Sequence, residues 1–344
     1  MKNTGKLKTD ILHINNLSIG YGKGKRTKVI GNHLSATIHS GELVCLLGEN
    51  GTGKSTLIRT LCGFQQAIGG KASLMGKNLL NLDEKELALM AAVVLTDRVI
   101  VANASVEELV GLGRSPYTGL FGKLNAEDQR IVDEAIEKCG ILHKKKDRLS
   151  NLSDGEKQKA FIAKALAQDT PLIILDEPTA FLDLPARVEI IQLLRHIANT
   201  SGKSVLMSTH DLDLALQMAD RLWLLSPGKP LVTGSPEDLL LTNDFQSIFT
   251  NQGIEFDNQT GLFKVGYAYK TELPAKGDGF EFLLLQRAFA RKGVKITSAI
   301  QPTKHWLEIE QNPAGQFHFY KNGKAIVAEN SIEKLVQLTL EDLN

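Results

Sequence analysis

Gly48-Glu49-Asn50-Gly51-Thr52-Gly53-Lys54-Ser55-Thr56 is the stretch that decides the architecture of this 344-residue chain. Its glycines let the backbone turn tightly enough for successive N–H groups to converge on phosphate oxygens. The helix that follows adds its positive N-terminal end. Lys54 is spaced to reach the β- and γ-phosphates of a nucleotide, and Ser55 to offer a hydroxyl to Mg²⁺. Residues 42–47 read as a short apolar strand entering the loop, and Leu57, Leu61 and Phe64 recur at helical spacing beyond it. The plain alternative, a glycine-rich turn with no ligand, does not account for that strand–loop–helix context.

A second signal lies far downstream in Leu172-Ile173-Ile174-Leu175-Asp176-Glu177-Pro178-Thr179. An apolar run of strand length delivers two carboxylates at its C-terminal end. Asp176 is placed to hold Mg²⁺, usually through water, and Glu177 to act as general base on an attacking water. Acidic residues that end a strand are also ordinary turn formers, so this segment gains its meaning from the phosphate loop. Between the two, residues 128–139 pattern as an amphipathic helix, 82–95 and 105–110 as helical or mixed, and 143–148 as a basic, solvated loop. Residues 153–167 read as a helix opened by a capping box, with Ser153 as cap and Glu156 three residues on. Helix at 185–198, strand at Ser204–Ser208 and helix at Leu212–Met218 continue the alternation. The expectation is a largely parallel α/β sheet with its sites at the strand C-terminal ends.

Composition narrows the classes. The chain is 42% hydrophobic and 23% charged with a net charge of +1, which is globular and leaves no global basic field for nucleic acid. Cys45, Cys62 and Cys139 are too scattered for a disulfide framework or metal cluster and read as small core residues. No apolar run is long enough to span a membrane, and the first ten residues carry lysines without the apolar stretch of a signal peptide. Thirteen of the 20 aromatic residues fall at or after position 245. That shift predicts two separate cores with a boundary near 250–270. The tail patterns as a helix at 280–291, three strands at 294–297, 305–309 and 317–320, a turn at Asn322-Gly323, and a helix at 331–340. Trp306, His305 and His318 suggest either a ligand pocket or, preferably, a small aromatic core.

Leu152-Ser153-Asp154-Gly155-Glu156, placed before the acidic strand end, completes a pattern that resembles the ATP-binding cassette (ABC) ATPases over about residues 11–245. The resemblance implies an ABC-type P-loop NTPase cassette of α/β class (11–250) with a helical signature subdomain, and the tail's own pattern adds a small C-terminal α+β domain (265–344). It implies ATP and Mg²⁺ as ligands, and hydrolysis to ADP and phosphate. Tyr21 then matches the aromatic that stacks on adenine, and His210 in Ser208-Thr209-His210-Asp211 matches the switch histidine near the γ-phosphate. Asp183 in Ala180-Phe181-Leu182-Asp183 matches the aspartate at the dimer seam. Taken alone, Tyr21 is a turn aromatic and His210 a lone histidine at a strand end. The family works as head-to-tail dimers, in which Ser153 and Gly155 of one copy serve the ATP held by the phosphate loop of the other.

Val106-Glu107-Glu108-Leu109-Val110 and Gly113-Arg114-Ser115-Pro116-Tyr117 resemble the ATPases of iron-chelate uptake, which import ferric siderophores, haem or cobalamin. That implies a homodimer on the cytoplasmic face of the plasma membrane, joined to an integral-membrane permease and indirectly to a substrate-binding protein. A soluble scaffold of the iron–sulfur assembly type and a non-hydrolysing nucleotide-dependent module are the alternative readings. The tail matches no motif, and a regulatory or dimer-contact role is the expectation for it. Two departures stand out. Thr96, followed by Asp97, occupies the position of the family's glutamine and is a candidate Mg²⁺ contact. Asp154 and Glu156 replace glycine and glutamine, and a carboxylate aimed at the γ-phosphate would repel it, so Asp154 is expected to point away.

Overall fold

The computed structural model describes residues 9–22, 26–96, 103–119, 122–249, 254–257, 262–298, 305–310 and 316–343, in two compact units, Met1–Asn251 and Gln252–Asn344. The first unit opens with β1 (Asp10–Tyr21) and β2 (Lys28–His39), an antiparallel pair, followed by β3 (Leu43–Leu47) and α1 (Lys54–Leu61). β4 (Gly69–Leu74) and β5 (Lys77–Asn78) complete a sheet in the order β2-β1-β4-β5. α2 (Glu84–Met90) runs directly into β6 (Ala91–Val94). Three helices, α3 (Val106–Gly111), α4 (Ala126–Lys138) and α5 (Asp154–Ala167), then pack on one another. The chain continues through β7 (Leu172–Leu175), α6 (Leu184–Ser201), β8 (Ser204–Ser208), α7 (Leu212–Met218), β9 (Arg221–Leu224), β10 (Val232–Gly234), α8 (Pro236–Leu241) and α9 (Asp244–Phe249).

The second sheet of this unit runs β10-β9-β3-β8-β7-β6, with every pair parallel except β10 with β9. Its central strands β3, β7 and β8 are buried at every position, as parallel strands covered on both faces must be. Ile14, Leu34, Leu46, Leu57, Ile174, Leu206 and Trp223 belong to one core cluster spanning both sheets and α1. Helix starts follow local chemistry: Asp83, Ser105, Asn125 and Ser153 each cap a helix in a reciprocal capping box. Because β3, β8 and β7 are adjacent and parallel, the segments leaving their C-terminal ends emerge side by side. Those segments carry the phosphate loop, His210 and the Asp176–Glu177 pair.

The second unit begins with the hairpin β11 (Ile254–Asp257) and β12 (Leu262–Val265). β13 (Thr271–Lys276), α10 (Gly279–Ala290) and β14 (Val294–Ser298) form a parallel crossover, and β15 (His305–Glu310), β16 (Gln316–Lys321), β17 (Lys324–Glu329) and α11 (Ile332–Leu343) follow. The sheet order is β14-β13-β15-β16-β17, five strands where the sequence pattern suggests three. β13 escapes the pattern because Pro274 argues against a strand, and its pairing with β15 begins only after that proline, at Ala275. β17 escapes it because Ala325, Ile326 and Ala328 are exposed and break the alternation. Leu273, Leu285, Phe289, Leu307, Phe317, Phe319 and Leu335 form the core. Trp306 is half-buried and stacks on Tyr320 with ring centroids 4.3 Å apart. Among the described residues, no helix is long and apolar enough to cross a membrane.

Candidate nucleotide site

The phosphate loop leaves β3 at Gly48, where a Cβ would come within 2.4 Å of the Leu225 carbonyl oxygen, so only glycine fits. It enters α1 through Gly53 at φ +104°, a left-handed conformation at the N-cap. Thr52 Oγ1 donates to the Glu49 carbonyl at 2.9 Å and tightens the turn. Lys54 is 5% exposed, and its Nζ donates to the carbonyls of Gly48 (2.8 Å) and Glu49 (3.1 Å). The ammonium is thereby laid across the mouth of the loop. Burial pushes its pKa below the ordinary lysine value, against the pull of Glu177 and then Asp176. Gly51 and Asn50 are exposed at the loop's tip, and Ser55 is half-buried in the first turn of α1.

Asp176 and Glu177 follow β7 directly. Asp176 is 6% exposed. Its backbone N–H donates to the Val94 carbonyl at 2.8 Å, and its carboxylate Oδ1 accepts from Ser208 Oγ at 2.6 Å. Ser208 Oγ also accepts the Glu177 backbone N–H at 2.9 Å. Glu177 sits at φ +49°, and its Oε1 lies 2.6 Å from His210 Nε2. Ser208, quoted in the sequence only as a neighbour of His210, is the residue that joins the two acids. The one signal for it is strand register: Leu175 pairs with Met207, which sets Asp176 beside Ser208.

Thr96 Oγ1 donates its proton to the Asp176 carbonyl oxygen at 2.7 Å. Its position is thus tied to the backbone of the acidic strand end, while a lone pair remains on its oxygen. Asp97 lies outside the described residues. Tyr21 is 48% exposed, with its Oη 2.7 Å from Thr56 Oγ1 beside the first turn of α1. A cleft of about 780 Å³ lies against it, lined by Gly20, Gly22, Thr27, Gln65 and Gln66 among others. One wall is a π-face suited to a planar base.

Ser153 caps α5. Its Oγ accepts the Glu156 N–H at 3.2 Å, and Glu156 returns a carboxylate oxygen to the Ser153 N–H at 2.9 Å. That backbone N–H holds the Glu156 carboxyl below the usual carboxylate range. Within this chain Glu156 therefore engages both the N–H and the hydroxyl of Ser153. Asp154 is turned along the helix to Lys157, 3.6 Å away. Asp183 caps α6 by accepting the Ala186 N–H at 3.0 Å.

The helical layer has its own buried anchor. Arg114 Nε donates to Asp128 Oδ1 at 2.9 Å, and its Nη1 to the Ala167 carbonyl at 2.9 Å, while its guanidinium carbon lies 3.9 Å from the centre of the Tyr117 ring. Burial opposes ionisation of Asp128, but the Asn125 backbone N–H and the Arg114 guanidinium hold its carboxyl below the usual range. One ion pair thus joins the start of α4, the end of α5 and the turn after α3.

Asp176 and the hydroxyls of Ser55 and Thr96 are hard oxygen donors, the set that suits Mg²⁺, and no thiol or imidazole cluster competes among the described residues. Comparison with known proteins gives the family. The ABC transporter family profile matches residues 31–180. An uncharacterised ABC transporter ATP-binding protein of Methanocaldococcus jannaschii is 35% identical over 255 residues, 74% of this chain and 87% of the relative. The iron(3+)-hydroxamate import ATP-binding protein FhuC of Bacillus subtilis is 34% identical over 233 residues, 68% of this chain and 85% of the relative. Among solved structures, CbiO1 of Clostridium perfringens, part of the ABC transporter complex CbiONQ, superposes with a TM-score of 0.60 at 26% identity, covering 71% of this chain and 96% of that one.

Proposed function

The chain belongs to the ABC transporter ATP-binding proteins and is an ATP hydrolase of that family, and from this premise we propose that it powers uptake of an iron chelate through a separate membrane permease. The observation that carries the catalytic part is the Glu177–His210 contact at 2.6 Å, set beside a glycine-rich loop whose lysine is buried. The cargo class rests on the relatives, which include FhuC and the ferric enterobactin transport ATP-binding protein FepC of Escherichia coli.

In this reading, Tyr21 holds the base, while the backbone from Gly48 to Thr56, including Asn50, Gly51 and Thr52, wraps the phosphates. Lys54 turns from the Gly48 and Glu49 carbonyls to the β- and γ-phosphate oxygens. Ser55 and Asp176, with Thr96 beside them, would hold Mg²⁺, which would supply charge neutralisation at the phosphates. Glu177 accepts a proton from the attacking water, and His210 fixes the carboxylate that does so. The products are ADP, phosphate and a proton. Two chains pair head to tail, Ser153 and Gly155 complete the neighbour's site, and Asp183 lies at the seam. The assembly works on the cytoplasmic face of the membrane.

Phosphate release tests the chemistry. Lys54→Ala is expected to abolish it, and a rate within twofold of the parent would overturn the site. The transport role is tested by co-purification with a polytopic membrane protein and by ferric-siderophore uptake in a strain lacking this chain. Undiminished uptake of every iron chelate offered would overturn the cargo class.

A further inference from the structure

Ser208 is the last residue of β8 and is fully buried, with 0% exposure. Its hydroxyl is used in both directions: the proton goes to Asp176 Oδ1 at 2.6 Å, and a lone pair takes the Glu177 N–H at 2.9 Å. The Asp176–Ser208 bond is buried and the Glu177 N–H is partly buried, so removing the hydroxyl takes a donor from the carboxylate and an acceptor from the N–H. The other holds on Asp176 act on its backbone, through the Val94 carbonyl and the Thr96 hydroxyl. Among the described residues, Ser208 alone grips the carboxylate. With Oδ1 engaged by Ser208, Oδ2 is the carboxylate oxygen left for another ligand.

The same hydroxyl acts on Glu177 by a different route. Glu177 lies at φ +49°, where a residue bearing a Cβ stays only if its surroundings hold it. Its N–H is pinned by Ser208, and its carboxylate meets His210. We propose that Ser208 is a positioning residue of the ATPase. One buried hydroxyl sets the orientation of the Asp176 carboxylate toward the metal and locks the backbone turn that aims Glu177 at the water. Ser208 touches neither nucleotide nor water; it acts through the two acids. The inference rests on the roles proposed above for Asp176 and Glu177.

The test uses the full-length chain with Ser208→Ala, Ser208→Cys and Ser208→Thr, each checked for folding by thermal melting. Two quantities are read: kcat for phosphate release, and the Mg²⁺ concentration that half-saturates binding of a fluorescent ATP analogue in a Glu177→Gln background. Removing a group that orients a ligating carboxylate typically costs ~10–100-fold in metal affinity or activity, and Ser208→Ala is expected to fall in that range on both readouts. Ser208→Thr, which keeps the hydroxyl, is expected to restore them, and Ser208→Cys, a poor donor of nearly the same shape, is expected to lose most of both. A purely structural serine would lower the melting temperature and leave the Mg²⁺ requirement alone. Parental kcat and Mg²⁺ requirement in folded Ser208→Ala, or in Ser208→Cys if the alanine variant does not fold, overturns the proposal. Failure of the underlying reading shows separately, because brisk hydrolysis by Glu177→Gln removes the base assignment while the binding titration still reports on Asp176.

Discussion

His210 Nε2 and Glu177 Oε1 stand 2.6 Å apart, although they leave different strands and are 33 residues apart in the chain. With the proton on Nε2, the imidazole donates to the carboxylate and leaves the second carboxylate oxygen for water. Glu177→Gln keeps the shape and loses the base, so ATP should still bind while turnover drops by ~10²–10⁴-fold. His210→Ala should reduce turnover by a smaller factor, since the base survives but swings freely. Paired measurements of phosphate release and nucleotide affinity decide both; a Gln variant within twofold of the parent rate would remove Glu177 from the mechanism.

Tyr21 presents its ring to an open cleft and anchors its hydroxyl on Thr56. Base stacking is worth ~1–3 kcal/mol, so Tyr21→Ala should raise KM for ATP about tenfold with little change in kcat. Tyr21→Phe keeps the ring, and its KM should stay near that of the parent. Equal KM values for all three proteins would show that the ring carries no binding energy.

Asp154 pairs with Lys157 on an exposed helix face, and such pairs are weak. Asp154→Gly is therefore expected to change ATP turnover by less than about fivefold. A rise beyond tenfold would mean that the carboxylate does repel the γ-phosphate held by the neighbouring copy.

Arg114 and Asp128 give a pH prediction. The Asp128 pKa is depressed in the fold, so its contribution to stability is complete above the unfolded value near 4 and is lost as pH falls through the lower folded value. Asp128→Asn should flatten the acid limb of stability below about pH 4. At neutral pH, Arg114→Ala should cost ~3 kcal/mol, because it strands a buried carboxylate. Urea melts at pH 7 and pH 3.5 check both; an unchanged acid limb in Asp128→Asn would place the acid sensitivity elsewhere.

The sequence shows the phosphate loop, the acidic strand end and the signature segment because each is a local chemical unit with fixed spacing. Helix α7 and strand β8 are legible to the residue for a different reason: each is a short apolar segment bounded by polar flanks. Residues whose roles depend on strand order are hidden. Ser208 reads only as a neighbour of His210 at the end of an apolar run until β8 is known to lie beside β7. Thr96 reads as a shortened substitute for a glutamine, and only the pairing of Val94 with Leu175 shows that its hydroxyl reaches the Asp176 carbonyl. In the tail, Pro274 disguises an interior strand of the sheet, which periodicity alone cannot recover.

Glu177 occupies a backbone conformation that glycine, asparagine and aspartate accept more readily than glutamate. At this one position, heat resistance and turnover select for different amino acids. A laboratory selection that rewarded only survival at high temperature would drift toward glycine or asparagine here, and the survivors would be stable, nucleotide-loaded and idle. Glutamate persists only while the cell continues to need the motor to run.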